Sequence, residues 1–377
     1  MESTVYRRDS TGALIGTPET QAVSKPPEAA NRQPPKTRLN AKKLQNKLAS
    51  VSLPKSNKSG KRYPRWIRII RNVIIAYLAC YIFLGFHAAS AFHKIAAGPV
   101  NSIAVTSGTN WLLVGSDSRD GLSKAEQRTL HTGGDFGPQR TDTIMLIHIG
   151  QDGTTLISLP RDSYVTIPAH IGLDGSKVTD RKNKINTAYG KGGAPLLVET
   201  IERNTGLHID HFMEVGFKGI RDITNAVGGV NMCIPNNITD KNSGLNLTAG
   251  CQKLDGTKAL GYVRMRYADP KGDLGRVERQ QQYLSAVMHQ VIKPAVFLNP
   301  FALYRLIGAG TDSVVVGKGD GIKDIAQLAS AMRSLSNGKG KLITVPVSNP
   351  DATTAAGSSV LWDKAAAAKL FKSLGAK

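Results

Sequence analysis

Four arginines, Arg264, Arg266, Arg276 and Arg279, fall within sixteen residues of this chain, interleaved with Asp269, Asp273 and Glu278. Fixed positive charge at that density suits three purposes: a solvated face, a nucleic-acid patch, or a pocket for a multiply charged phosphate. The run from Leu260 to Tyr267 predicts a strand, in which Arg264 and Arg266 point to one side together. A helix predicted from about Leu274 to Val291 puts Arg276, Arg279 and Gln280 on one surface near its first turns. Free N–H groups and a partial positive charge point outward there. A strand pair and a helix start, converging across a short loop, would build a compact anion site. Arginine suits it because its planar fork binds phosphate oxygens in bidentate fashion and keeps its charge. The same arginines paired with neighbouring carboxylates on a solvated face would contribute little.

A second group of charges sits at strand ends. Leu113-Val114-Gly115-Ser116-Asp117-Ser118-Arg119 sets Asp117 and Arg119 just beyond a buried strand, where ligands bind in open α/β sheets. Gln139-Arg140-Thr141-Asp142-Thr143 puts Arg140 and Asp142 on one side at the start of the next strand, and Ser158-Leu159-Pro160-Arg161-Asp162 follows the strand after that. Mixed Asp and Arg is the combination that holds a hard cation together with phosphates. Mg²⁺, or Mn²⁺ in its place, takes a few carboxylate oxygens and shares phosphate oxygens. A structural salt-bridge network would use the same residues.

The elements that must position these groups are mixed. Asn110–Gly115 reads as a buried strand, and Thr143–Ile149 and Thr154–Leu159 as strands joined by a hairpin at Gly150-Gln151-Asp152-Gly153. Ala194–Asn204 has helical spacing and stops at Gly206. Then come a strand at His211–Phe217, a helix at Lys218–Val227 and a strand at Val230–Ile234. After the arginine stretch, Ile322–Leu335 reads as a helix, Leu342–Val347 as a strand and Val360–Leu374 as a closing helix. Strands and helices mixed along the whole length predict an α/β fold, a mixed central sheet flanked by helices on both faces. No linker or internal repeat interrupts the chain between about 100 and 375, so one domain is expected there.

Charge location narrows the partners. The formal net charge is +21, and 16 Lys+Arg against 4 Asp+Glu up to Arg71 place +12 of it in the N-terminal segment. Residues 1–64 have little to bury and read as a disordered basic tail. From Val73 to Phe92, twenty residues carry no Lys, Arg, Asp or Glu, enough to cross the ~30 Å hydrocarbon layer of a bilayer. We therefore expect a transmembrane signal anchor over 65–92, a juxtamembrane linker over 93–104 and the outer folded domain over 105–375. Arg62, Arg65, Arg68 and Arg71 on one flank put the tail in the cytoplasm and the domain outside. A tail resting on anionic membrane lipid is then a better reading than one bound to nucleic acid. Cys233 and Cys251, eighteen residues apart, can close a disulfide in an oxidising compartment. His131, His148, His170, His208 and His211 show no metal-ligand spacing.

GSDSR, RTDTIMLIHI, SLPRDSYV, KINTAYGKGG, VGGV and YVRMR…GDLGRVERQQ occur in this order and together resemble the LytR–CpsA–Psr family of cell-envelope enzymes. The resemblance spans roughly residues 105–375. It implies transfer of a glycopolymer from a polyprenyl-pyrophosphate carrier to peptidoglycan, at the muramic acid C6 hydroxyl, leaving a phosphodiester link. By motif position, Asp117 and Asp142 match the family's magnesium-associated aspartates. Arg140, Arg161, Arg264, Arg266 and Arg276 match its pyrophosphate-binding arginines, and Lys184 and Gln280 match further head-group contacts. Asp142 is the base expected for the acceptor hydroxyl. The spacing between Asp117 and Asp142 is long, and GLSKAEQRTLHTGGDFGPQ must fold back if both are to share a metal. The polyprenyl chain needs an apolar slot, for which Pro195–Val198, Phe212–Phe217 and Val287–Leu298 are candidates. Two rival readings are a hydrolase using the same site with water as acceptor, and a membrane-tethered transcription regulator.

Overall fold

Period-two burial along three apolar runs builds the centre of the fold. Leu112, Val114, Ile144, Leu146, Ile157 and Leu159 turn to one side of the sheet, while Trp111, Met145, Ile147 and Leu156 turn to the other. The computed structural model describes residues 64–133, 141–172, 174–240, 243–265 and 272–377. Of the basic tail expected over 1–64, residues 1–63 lie outside the described residues, as do Arg140 and Arg266.

The central sheet contains His93–Ile95 (β1), Thr109–Ser116 (β2), Thr141–Gly150 (β3), Gly153–Leu159 (β4), His211–Val215 (β5), Val314–Gly317 (β6) and Lys341–Thr344 (β7). Their spatial order is β1-β6-β5-β2-β3-β4-β7. β2–β3, β3–β4 and β5–β6 run antiparallel, whereas β1–β6, β2–β5 and β4–β7 run parallel. The sheet is mixed, as expected. His93–Ile95, expected within a linker, is instead one of its two edge strands.

The helices are Arg65–Ala91 (α1), Lys124–Thr129 (α2), Asn186–Thr205 (α3), Phe217–Ala226 (α4), Gly256–Arg264 (α5), Gly272–Val291 (α6), Pro294–Phe297 (α7), Pro300–Thr311 (α8), Ile322–Ser336 (α9) and Lys364–Ser373 (α10). Leu197, Val198 and Ile201 of α3 and Phe371 of α10 pack on one face of the sheet. Leu328, Met332 and Leu335 of α9, with Leu284 and Met288 of α6, cover the other. The three-layer α/β/α arrangement follows from both faces being apolar. A satellite core joins α4, α5 and α6 to the ribbon Val230–Ile234 with Gly250–Leu254. In that ribbon Cys233 faces Cys251, and the two form a disulfide.

Two expected elements differ. Of the strand expected over Leu260–Tyr267, the described part, Leu260–Met265, is not a strand: α5 runs through Arg264 and the chain turns extended at Met265. Asp255 caps that helix by accepting from the Lys258 N–H, and Ala259, Leu260 and Val263 recur on its buried side. A side chain at Gly256 would come within 2.2 Å of the Arg221 carbonyl, so α5 starts in contact with the α4 backbone. Val360–Leu374 is likewise not one helix. Gly357–Trp362 pairs antiparallel with Val347–Thr354, and α10 begins only after Asp363, which caps it. Gly206 ends α3 in the left-handed conformation, at φ 71°, that glycine adopts without strain.

Candidate functional site

The site gathers where β2 ends and β3 begins. Gly115 pairs with Thr143 and Ser116 with Thr141, so a β-bulge leaves Asp142 without a partner on β2. Bulges of this kind re-aim a side chain. Gly115 makes room for it, since a Cβ there would lie 2.9 Å from the Thr143 Cβ. Asp117 follows Ser116 directly, so both aspartates emerge at the same end of neighbouring strands. The long segment between them does fold back in its described part. Leu122 and Leu130 are buried in the satellite core, and Ser123 caps α2 in a reciprocal pair with Glu126. Hydrogen bonds from Ser123 and the Arg221 guanidinium lower the Glu126 carboxyl to about 2.

Arg161, just past β4, donates from Nη1 to Asp142 Oδ1 and lies 3.4 Å from Asp162 through Nε. Lys184 reaches the other oxygen of Asp162 at 3.2 Å. The Ile185 and Asn186 N–H groups donate to the carbonyls of Ser163 and Arg161, which ties the start of α3 to the Arg161 loop. Asp142, Arg161, Arg276 and Gln280 then line one small cavity with Thr143, Ser158 and Leu159. Arg276 and Gln280 are buried on the first turns of α6, and Gln280 Nε2 donates to the Val263 carbonyl at 3.4 Å. One turn of helix thus carries a cation and an amide toward the Asp142–Arg161 pair.

Arg264 ends α5 beside this group. Its guanidinium lies 4.6 Å above the Phe217 ring and donates to the carbonyls of Leu130 at 3.1 Å and His131 at 3.2 Å. Burial lowers its pKa from the usual value, opposed by the charges of Asp142, Asp240 and Asp117, while Arg119 adds to the lowering. An arginine stays charged through such a shift. Arg264 therefore sits within the field of both aspartates, although a helix end and not a strand puts it there.

The remaining expected arginines make other contacts. Arg119 donates through Nε and Nη2, at 3.2 and 2.8 Å, to the Thr132 carbonyl. Arg279 is buried and donates to the carbonyls of Tyr262 and Met265 where α5 ends. Both hold backbone around the site. Sequence reasoning did not single out Gln281, whose amide donates to Ser158 Oγ at 2.7 Å; the glutamine run was its only signal. It also gave no role to Tyr189, which donates to the buried Glu214 of β5, and offered Phe217 only for a polyprenyl slot, whereas its ring lies beneath Arg264. Burial and the Glu214 charge raise the Tyr189 phenol, so it stays protonated.

Among the described residues no group of three or more His, Cys, Asp or Glu could hold a metal by itself. Two aspartates beside arginines fit Mg²⁺ shared with a diphosphate, because Mg²⁺ binds through one or two carboxylates plus phosphate oxygens. Of the apolar stretches considered for a polyprenyl slot, Phe212 and Val287 are buried in cores. Pro195 and Leu196 line a cavity of about 520 Å³ with Val100, Ile171 and Val178, whereas Phe297 and Leu298 are exposed.

The LytR_cpsA_psr family matches residues 83–374 of the chain. Over 308 residues the sequence is 42% identical to the probable cell wall biosynthesis protein LcpB of Corynebacterium glutamicum, covering 81% of this chain and 70% of that protein. It is 35% identical over 196 residues to the polyisoprenyl-teichoic acid–peptidoglycan teichoic acid transferase TagU of Enterococcus faecalis, covering 52% of this chain and 56% of the relative. The fold is similar to that of a LytR-Csp2A-Psr enzyme from Actinomyces oris, with a TM-score of 0.57 and 23% identity over 76% of this chain and 96% of that one.

Proposed function

Because the chain belongs to the LytR–CpsA–Psr family, we propose that it moves an envelope glycopolymer from a polyprenyl-pyrophosphate carrier to peptidoglycan. The acceptor hydroxyl oxygen, at muramic acid C6, bonds to the sugar-linked phosphorus. The bridging P–O bond breaks, polyprenyl phosphate leaves, and a phosphodiester remains. The observation that carries this reading is the convergence of Asp142, Arg161, Arg276 and Gln280 on one cavity, with Arg264 at its side.

Each residue has a task in that displacement. Arg161 and Arg276 meet the charge that grows on the departing phosphate, and fixed guanidinium groups do so without reorganising at the moment of reaction. Arg264 supplies further positive field, and Gln280 an amide donor. Lys184 reaches the same end through Asp162. Asp142, aimed by its bulge, takes the hydroxyl proton. Arg140 and Arg266 belong to this set by motif position. Asp117 and Asp142 would hold Mg²⁺ or Mn²⁺, which when bound neutralises charge on the diphosphate.

α1 is long and apolar enough to span a bilayer, fitting a single-pass membrane anchor. Arg65, Arg68 and Arg71 lie at its N-terminal end and no basic residue at its last turn, which supports a cytoplasmic N-terminus and a domain outside. The Cys233–Cys251 disulfide is in keeping with an oxidising exterior.

The test is transfer in vitro from a lipid-linked glycan diphosphate to peptidoglycan with Mg²⁺. Wild type should yield glycan joined to peptidoglycan, and Arg276→Ala should lose about a hundredfold in rate. Undiminished transfer by Arg276→Ala overturns the site assignment. Release of free glycan phosphate at the same rate with and without peptidoglycan overturns the choice of acceptor.

A further inference from the structure

The chain leaving α6 contains an apolar segment that the catalytic reading does not use. From Pro294 to Gly310 the residues are apolar except Asn299, Tyr304 and Arg305. Phe297, Leu298, Phe301 and Tyr304 are exposed, Phe301 at 79%. Phe301 and Tyr304 share one face of α8 by spacing. Left in water, this surface would be a liability in a monomer.

The segment lies against the membrane anchor. Tyr77 Oη of α1 donates to the Leu298 carbonyl at 2.9 Å, and Tyr81 Oη donates to the Phe297 carbonyl. Further along, the His87 and Tyr304 rings stack with centroids 5.9 Å apart. Leu84 and Ala88 are the residues of α1 that become buried. Tyr81 precedes Ala91 by ten residues and Tyr77 by fourteen, about 15 and 21 Å along the helix at ~1.5 Å per residue. The α7–α8 turn is therefore level with the hydrocarbon part of α1, and its exposed residues continue the lipid-facing surface of Phe83 and Phe86.

The turn's backbone is also prepared for that medium. Pro294 and Pro300 carry no N–H. The Val296 N–H donates to Lys293 O, the Leu298 N–H to Pro294 O and the Leu303 N–H to Asn299 O. Asn299 Oδ1 accepts from the Phe301 and Ala302 N–H groups at the start of α8. The two tyrosines satisfy the carbonyls of Phe297 and Leu298. Irregular backbone at membrane depth is tolerated only when its polar groups are met inside the protein. Arg305, on the exposed side of α8, can extend its charge to the head groups while its stem stays in lipid.

The geometry points to α7 and α8 as a second membrane element, a re-entrant hairpin whose Phe301–Tyr304 face sits among the acyl chains of the leaflet next to Ala91 and whose Phe297–Leu298 turn reaches the middle of the bilayer. The inference rests on α1 spanning the bilayer and not on the transfer chemistry. It gives α6 a further role. With Arg276 near its start and the hairpin beyond its end, α6 is a strut that fixes the height of the diphosphate site above the membrane.

The experiment uses the full-length chain in phosphatidylcholine–phosphatidylglycerol vesicles, with Cys80→Ala so that one introduced thiol carries an environment-sensitive fluorophore. Leu298→Cys and Phe301→Cys are the test positions, Phe83→Cys in α1 is the lipid control, and Ala355→Cys in the exposed 354–357 turn is the water control. The Leu298 and Phe301 probes should match the Phe83 probe, blue-shifted, quenched by acyl-chain nitroxide lipids and shielded from iodide. Iodide quenching without nitroxide quenching at both positions overturns the hairpin. Shielding from both quenchers means that protein, such as a second copy of the chain, covers the face, and overturns it as well. If the Phe83 probe itself stays aqueous, α1 is outside the bilayer and the inference falls with the anchor.

Discussion

Replacing Arg161 tests the electrostatic reasoning most directly, because its side chain lies between two carboxylates and borders the cavity. It is 16% exposed, and its partners Asp142 and Asp162 are 31% and 23% exposed. If the guanidinium stabilises charge on the leaving phosphate, Arg161→Ala removes one fixed donor, which lowers the transfer rate about 100- to 1000-fold. The fold should lose much less. Water still reaches both aspartates, so each broken pair is worth about 1 kcal/mol or less. That is a fall of a few degrees in Tm, at ~2–4 °C per kcal/mol in a domain of this size. Arg161→Lys keeps the charge but not the fork, and its rate should fall between those of wild type and the alanine variant. The assay pairs initial rates of glycan transfer with thermal unfolding of the same preparations. Wild-type transfer by Arg161→Ala refutes the reasoning. So does a loss of rate matched by a collapse in Tm, which would make Arg161 a structural residue.

Gly115→Val should displace the start of β3 and misplace Asp142, lowering transfer far more than Tm; equal rates would show that the bulge does not aim the base. Mg²⁺ alone should bind weakly by calorimetry and tightly once a polyprenyl diphosphate is present, because Asp117 and Asp142, the two carboxylates proposed to hold it, leave its other positions to phosphate oxygens and water; tight binding without diphosphate contradicts the shared site. Arg279→Ala, which loses the donors to Tyr262 and Met265 at the end of α5, should lower Tm more than Arg161→Ala does while retaining more transfer. His211 Nδ1 donates to the Asp320 carboxylate at 2.6 Å. Burial lowers its pKa, but the Asp320 hydrogen bond and charge prevail and raise it above the ordinary 6.5. That contribution is complete below pH 6.5 and is lost as pH rises through the raised value, so Tm should decline on the alkaline side in wild type and stay flatter in His211→Gln.

The sheet was legible because β2, β3 and β4 alternate cleanly between two apolar faces, and nothing in tertiary structure overrides that period. The glycine after α3 was legible for a similar reason, since only one conformation there suits it. The helix at Gly256–Arg264 was not. Val263, Met265 and Tyr267 with intervening arginines imitate a strand, and the competing signal, Asp255 capping at Lys258, lies upstream of the charged run. The stretch after Val360 failed in the opposite sense. Alanines from Ala365 onward read as one helix, although the strand through Trp362 is fixed by its pairing with Val347–Thr354, which no local window contains. Residue types at the site were visible, whereas their aim was not. The bulge at Asp142 depends on the register with β2, and register is a property of two strands.

The same distinction resolves why so many arginines crowd one end of the sheet. A guanidinium has five N–H donors in a fixed fork, and what the fork faces decides its work. Arg119 and Arg279 direct theirs at the carbonyls of Thr132, Tyr262 and Met265, groups that loops and helix ends leave over and that need donors when buried. Arg161 directs its fork at carboxylates, whose place a phosphate oxygen can take with the same geometry. Arg264 does some of each, bonding the carbonyls of Leu130 and His131 while lying in the field of Asp142 and Asp117. The carbonyl-bound arginines hold the α2 segment and the end of α5 in place, and those elements in turn set where the carboxylate-bound ones point. Scaffold and proposed reacting centre thus use one residue type, and a count of positive charge along the sequence cannot separate them. Contact with backbone or with carboxylate does.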